Sequence, residues 1–231
     1  AALAIVTVLG PRMGKYNADG TTNAMPGSNI PIAALGAWIL WLGWFGFNGG
    51  SELVVSSEAS AVAVSQVFLN TNMAAAGGVV GALILSLIMT GKMDVTMAIN
   101  GAIAGLVGIT AGPSAPSGGA AVLIGLLAGL LVYISILYFE KKLKIDDPVG
   151  AISAHGIVGI FGVMVVPFTN GDASFLWQLY GVIAIAGFTY VASLIAIYVI
   201  NMFLSIRATD EEQMAGLDST EVGVEAYPEF D

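Results

Sequence analysis

The one histidine of the chain, His155, lies inside a charge-free window, residues 148–171. An ionisable side chain in apolar surroundings is costly to desolvate, so it is a candidate for function. Neutral imidazole carries one N–H donor and one acceptor. It can therefore line a path for a small polar molecule without fixing a charge there. A histidine bonded to a neighbouring helix is the other reading, and the sequence leaves both open. A second constellation is Trp41-Leu42-Gly43-Trp44-Phe45-Gly46-Phe47-Asn48-Gly49-Gly50-Ser51-Glu52. Phe47 and Ser51 are one helical turn apart and share a face. A phenyl ring with a hydroxyl above it suits a constricted mouth that attracts cations through the ring face. Aromatics at a span end also form interfacial belts, so this motif too has two readings.

Other chemistry is poorly supplied. The chain has no cysteine and one histidine, which excludes disulfides, thiolate metal sites and any site needing two histidines from this chain. No Gly-rich phosphate loop, nucleophile–base arrangement or basic nucleic-acid patch occurs in it. No enzyme activity, metal, cofactor or nucleic-acid partner is expected.

The elements that must position these residues follow from the distribution of charge. Of 231 residues, 57% are hydrophobic and 10% charged, against about 25% charged in a soluble domain. No charge occurs in 20–51, 59–91, 95–139, 148–171 or 173–206, and a helix needs roughly 20 apolar residues to cross a bilayer. The expected class is an all-α membrane protein, a polytopic helical bundle. Residues 1–9 read as the end of a span whose beginning precedes Ala1. Residues 13–30 read as a loop, and full spans are expected over about 32–50, 60–90, 95–111, 119–139, 149–168 and 174–205. The break between the third and fourth of these is Gly112-Pro113-Ser114-Ala115-Pro116-Ser117-Gly118-Gly119. His155 then lies about 8–10 Å inside its helix.

Small residues crowd three spans: Gly101, Ala102, Ala104, Gly105 and Gly108; Gly118 to Ala121, Gly125 and Gly129; Gly156, Gly159 and Gly162. In lipid such faces allow close backbone approach, so packing is their expected role. Gln66, Asn70, Thr71, Asn72, Asn100 and Asn201 are expected to be interhelical hydrogen-bond partners.

Lys and Arg mark the cytoplasmic ends of short loops. With the span list above, Arg12, Lys15, Lys92, Lys141, Lys142, Lys144 and Arg207 all fall on one side, while Glu52, Glu58 and Asp172 fall on the other. The C-terminus is then cytoplasmic. The net charge of −9 belongs to the tail. Residues 208–231 hold eight carboxylates (Asp210, Glu211, Glu212, Asp218, Glu221, Glu225, Glu229, Asp231) and no base, so the rest carries eight acids against seven bases. A solvated acidic tail says little about a substrate. Residues 1–207 are read as the membrane domain and 208–231 as a separate tail.

The motif from Leu42 to Ser51 resembles the ammonium transporter family (Amt/Mep, with the more distant Rh proteins). So do Asn100-Gly101-Ala102-Ile103-Ala104-Gly105-Leu106-Val107-Gly108-Ile109-Thr110, Asp146-Asp147-Pro148-Val149-Gly150 running on to His155-Gly156, and the tail from Glu211-Glu212 through Gly216-Leu217-Asp218 to Glu225-Ala226-Tyr227-Pro228. The resemblance covers the whole chain in register. It implies a homotrimer of eleven-helix subunits with inverted repeats and one pore per subunit, of which this chain is the C-terminal portion. His155 matches the second of two pore histidines, Phe47 one of two gating phenylalanines, and Ser51 the hydroxyl of the external ammonium-recruitment site. Their partners are expected before Ala1. The tail, with Gly216, Asp218, Thr220 and Tyr227, matches a regulatory segment that packs beneath the neighbouring subunit. Thr220 falls at a position phosphorylated in plant relatives. One departure is Val222-Gly223, where the family often has His-Gly. The resemblance implies ammonium or ammonia transport across the plasma membrane, with a PII-type signalling protein as a cytoplasmic partner. An ammonium sensor that binds more than it conducts and an inactive membrane fragment are the alternatives.

Overall fold

A computed structural model describes residues 1–228; Glu229 and Asp231 of the acidic tail lie outside the described residues. The chain divides into two compact units, one of residues 26–187 and one of residues 1–25 with 188–231. The described residues are helical and contain no named strand; the lone bridge pairs Tyr16 with Thr22. The all-α membrane class expected from the sequence holds. Five helices are long and apolar enough to cross a bilayer, and a sixth, shorter apolar helix is Val95–Thr110.

The larger unit holds α2 (Ile30–Gly50), α3 (Glu58–Thr90), α4 (Val95–Thr110), α5 (Gly118–Tyr138), a π-helical turn (Ile152–Ile157) and α6 (Val158–Thr169). Asn29 starts α2 by accepting from the Ile32 amide, and Ser57 with Ser60 caps α3 reciprocally. Asp94 and Ser117 cap α4 and α5. In each case a short polar side chain satisfies an amide that the first helical turn leaves without a partner.

α3 is the centre of this unit, packed against both α4 and α5. The reason is in its sequence. Ala74, Gly77, Gly78 and Gly81 face the backbones of the neighbouring helices. A Cβ on Gly78 would collide with the Gly101 carbonyl, one on Gly77 with Val122, and one on Gly125 or Gly105 with Ala74. Helices approach this closely only where side chains are absent, and dispersion between the backbones replaces the hydrophobic gain that lipid does not supply. The expected packing role of the small residues is met at Gly101, Gly105, Gly108, Gly125, Gly129 and Gly162. It is not met at Gly118 and Gly119, which have open space around them, nor at Gly156, whose added Cβ would reach only the Ile152 side chain, at 4.0 Å. Gly118 and Gly119 form the first turn of α5, before the helices converge.

Asn70 joins α3 to the loop after α4 by donating to the carbonyls of Pro113 and Pro116, at 2.9 and 2.7 Å. Asn48 on α2 donates to Thr71 on α3 at 3.0 Å. Asn100, by contrast, bonds within its own helix, to the Thr96 carbonyl.

α7 (Phe175–Phe203) begins in the larger unit and ends in the smaller. None of its residues is buried. A helix apolar on every side with no buried face is suited to lipid or to a further protein surface. The smaller unit also contains α1 (Ala2–Leu9), the 13–25 loop, α8 (Asp210–Ala215) and a π-helical turn over Asp218–Val222. Within it the Arg207 guanidinium donates to the Leu9 carbonyl at 2.6 Å, and the Gln213 side chain accepts from the Met13 amide at 3.1 Å. The end of α1 is thereby tied to Arg207, and the loop after it to the tail.

Candidate pore site

The site lies in the larger unit, where α2, α4 and the π-helical turn meet. Trp44 and Phe47 are three residues apart on α2 and so project on one side of it. Their ring centroids are 5.7 Å apart with planes tilted by 53°. The Trp44 indole also stacks on the His155 imidazole, centroids 6.5 Å apart and planes within 11°. Phe47, Trp44 and His155 form one run of three rings. Trp44 is half-buried, whereas His155 is exposed and Phe47 is 64% exposed. Phe47 and His155 are therefore open at the surface of the unit, while Trp44 is partly covered.

The backbone leading into His155 is held at the start of its turn. The Asp147 carboxylate accepts from the amides of Ile152 and Ser153, each at 3.1 Å, capping the turn. Gly150 supplies the reversal before it, with φ of +70°; a Cβ there would lie 2.7 Å from Asn100 Oδ1. The sequence reading starts this span at 149, but the helical turn begins at Ile152 because the cap and the reversal occupy the residues before it. The turn is π-helical over Ile152–Ile157. Such segments insert an extra residue and recur at functional positions in helices. Ala154 and Val158, flanking His155, belong to the buried cluster of Leu106, Ala128 and Val132, against which Trp44 also packs.

Ser51 follows α2 as its C-terminal cap, and its hydroxyl donates to the Phe47 carbonyl at 2.9 Å. Thr110, the last residue of α4, receives the Trp44 indole N–H at 2.8 Å and donates its own proton to the Leu106 carbonyl at 2.6 Å. Trp44 and Thr110 are the residues that sequence reasoning passed over. Both stand inside the family-like motifs. The i, i+3 spacing to Phe47 is a usable signal for Trp44, but a contact across 66 residues has no local signature.

Gly216, Asp218, Thr220 and Tyr227 all lie in the smaller unit. Gly216 ends α8 with φ of +93°, and its carbonyl accepts the Thr220 amide at 3.2 Å and hydroxyl at 3.0 Å. The Asp218 carboxylate accepts the Ala226 amide at 3.1 Å. Tyr227 is half-buried. Among the described residues no group of three or more His, Asp or Glu is placed to hold a metal ion.

The family model for the Ammonium Transporter Family matches residues 1–227. The chain belongs to the ammonium transporter family. It is 38% identical over 249 residues to the ammonium transporter Amt2 of Archaeoglobus fulgidus, covering 99% of this chain and 52% of that protein. It is 34% identical over 242 residues to the ammonium transporter of Bacillus subtilis, covering 98% and 57%. The chain thus spans about half the length of the curated relatives it matches. Among solved structures it is similar to a protein described as a sensor Amt protein, with a TM-score of 0.86 and 38% identity over 95% of this chain and 55% of that one. It is also similar to Candida albicans Mep2, with a TM-score of 0.77 and 25% identity over 91% and 50%. As a member of the ammonium transporter family with several membrane-crossing helices, the chain is part of a multi-pass membrane protein.

Proposed function

We propose that this chain supplies one wall of a narrow pore that passes ammonium or ammonia across the plasma membrane. The observation that carries the reading is the run of rings from Phe47 through Trp44 to His155, in a chain of a family whose relatives are ammonium transporters. An ammonium ion does not cross a dry apolar lumen unaided, because desolvating a charge costs far more than the lumen returns. The mouth must bind the cation, and the interior must favour its neutral or proton-relayed form. Ser51, with an acceptor oxygen one turn above the Phe47 ring, recruits the cation at the outer mouth, helped by the ring face. Phe47 forms the constriction. His155 offers the interior a donor and an acceptor without an added fixed charge.

The remaining parts of the reading rest on the resemblance and on charge placement. The pore is one of three in a homotrimer, and the C-terminus is cytoplasmic on the side of all seven basic residues. The tail turn of Gly216, Asp218, Thr220 and Tyr227 controls conduction, and a PII-type protein is its cytoplasmic partner. The bond from Gln213 to Met13, in the loop after α1, beside that from Arg207 to Leu9, supports a tail coupled to the membrane helices.

A sensor that binds more than it conducts is the second reading. It is favoured by 38% identity and a TM-score of 0.86 to the protein described as a sensor Amt protein. Ammonium-evoked current in proteoliposomes of the intact protein separates the two. Sustained current proportional to protein supports transport. Saturable ammonium binding with only a brief charge displacement, and no faster luminal alkalinisation by ammonia than in protein-free vesicles, supports the sensor and contradicts transport.

A further inference from the structure

Resting on the pore reading above, we infer that Thr110 is a positioning residue of the site, holding the Trp44 indole in the orientation that stacks on His155 and abuts Phe47. Indole has one polar hydrogen and no acceptor. In an interfacial belt that hydrogen faces headgroups or water. Here it is donated to Thr110 at 2.8 Å, and the ring packs against the buried cluster that includes Ala154 and Val158 of the histidine's own helix.

The threonine is itself fixed. Its single proton goes to the Leu106 carbonyl at 2.6 Å, so toward the indole it acts only as an acceptor. A β-branched side chain also has few χ1 choices. The chain of bonds therefore runs from the α4 backbone through one hydroxyl to one indole, and from that indole to both site rings, at 5.7 Å and 6.5 Å. Trp44 is then a rigid wall beside both constriction and histidine. Its tilt sets the width that a small amine meets, so Thr110 acts on size selection between ammonium and methylammonium through Trp44.

The test uses the intact protein in proteoliposomes, with Thr110→Val, Thr110→Ser, Trp44→Phe and the Thr110→Val/Trp44→Phe double variant. Two quantities are read: the methylammonium-to-ammonium flux ratio per folded protein, and the indole N–H signature of Trp44 in ultraviolet resonance Raman, isolated by subtracting the Trp44→Phe spectrum. Thr110→Val is expected to erase the hydrogen-bonded N–H signature and to move the flux ratio by about tenfold, the factor that goes with one hydrogen bond. Thr110→Ser restores both. The double variant behaves as Trp44→Phe alone, because both changes break one link. A flux ratio unchanged by Thr110→Val, or additive effects in the double variant, overturns the inference. If Thr110→Val does not assemble, Trp44→Phe breaks the same bond from the other side, and an unmoved ratio there overturns it equally. If wild-type protein passes no ammonium, the pore reading falls and the inference with it, while the Raman signature still reports whether Thr110 holds the indole.

Discussion

The Trp44 indole and the His155 imidazole lie stacked, with centroids 6.5 Å apart and planes 11° from parallel. One ring comes from α2 and the other from a π-helical turn more than a hundred residues later. The relationship depends on two separate supports, Thr110 behind the indole and Asp147 beneath the histidine's turn. Each support can be removed independently.

Removing the cap should loosen the histidine. Asp147 satisfies two amides at the start of the turn, and loss of a capping side chain costs about 0.5–2 kcal/mol. Asp147→Ala is expected to lower the thermal midpoint of the detergent-solubilised intact protein and to raise hydrogen exchange at Ile152 and Ser153. Exchange unchanged at those amides contradicts the capping role.

The reversal at Gly150 admits no side chain. A residue with a Cβ in left-handed conformation costs roughly 1–2 kcal/mol. The added atom would also meet Asn100 Oδ1 at 2.7 Å. Gly150→Ala should therefore destabilise the protein, while Gly118→Ala, at a helix start with open space around it, should leave its melting unchanged. Equal melting of the two variants removes the argument from close approach.

Asn70 holds the loop between α4 and α5 through two proline carbonyls. Its loss leaves both without a donor, at about 1–3 kcal/mol for a buried polar group without a partner. Asn70→Ala is expected to expose residues 112–117 to limited proteolysis under conditions where the native protein is resistant. Resistance that survives the substitution shows that the loop is held by something else.

The tail helix α8 should respond to acid. The Glu212 carboxyl is held below its ordinary value by the hydrogen bonds from the Thr209 amide and hydroxyl. A carboxyl with a lowered folded pKa contributes stability that is complete above its unfolded pKa and lost as pH falls through the folded one. Protection of the α8 amides is therefore expected to persist at neutral pH and to fade below the usual carboxylate range. Glu212→Gln should flatten that dependence, and a pH profile that survives in the variant assigns the effect to another group.

The helical architecture was readable because charge and lipid do not mix. The windows between Asp19, Glu52, Glu58, Asp94, Glu140 and Asp172 nearly delimit the helices, and the Gly/Pro run after Thr110 marks the one turn that charge does not. The packing of α3 was legible only in kind. Small residues announce close approach, but not that Gly78 meets Gly101 or that Gly118 meets nothing. In the site, Phe47 and His155 stand out by residue type. Trp44 and Thr110 do not, since a tryptophan near a helix end reads as a belt residue and a threonine at a helix end as a local cap. Their roles arise from a contact between distant parts of the chain, which spacing along one helix cannot encode. The π-helical form of the turn around His155 was likewise hidden, because it depends on the Asp147 cap and the Gly150 reversal acting together.

The most direct test of the pore reading is the ammonium-evoked current of His155→Ala against wild type, in proteoliposomes of the intact protein with equal amounts of folded protein. The variant is expected to lose either the current or the discrimination between ammonium and other small monovalent cations. Current and discrimination both equal to wild type would contradict the pore reading and remove His155 from the path.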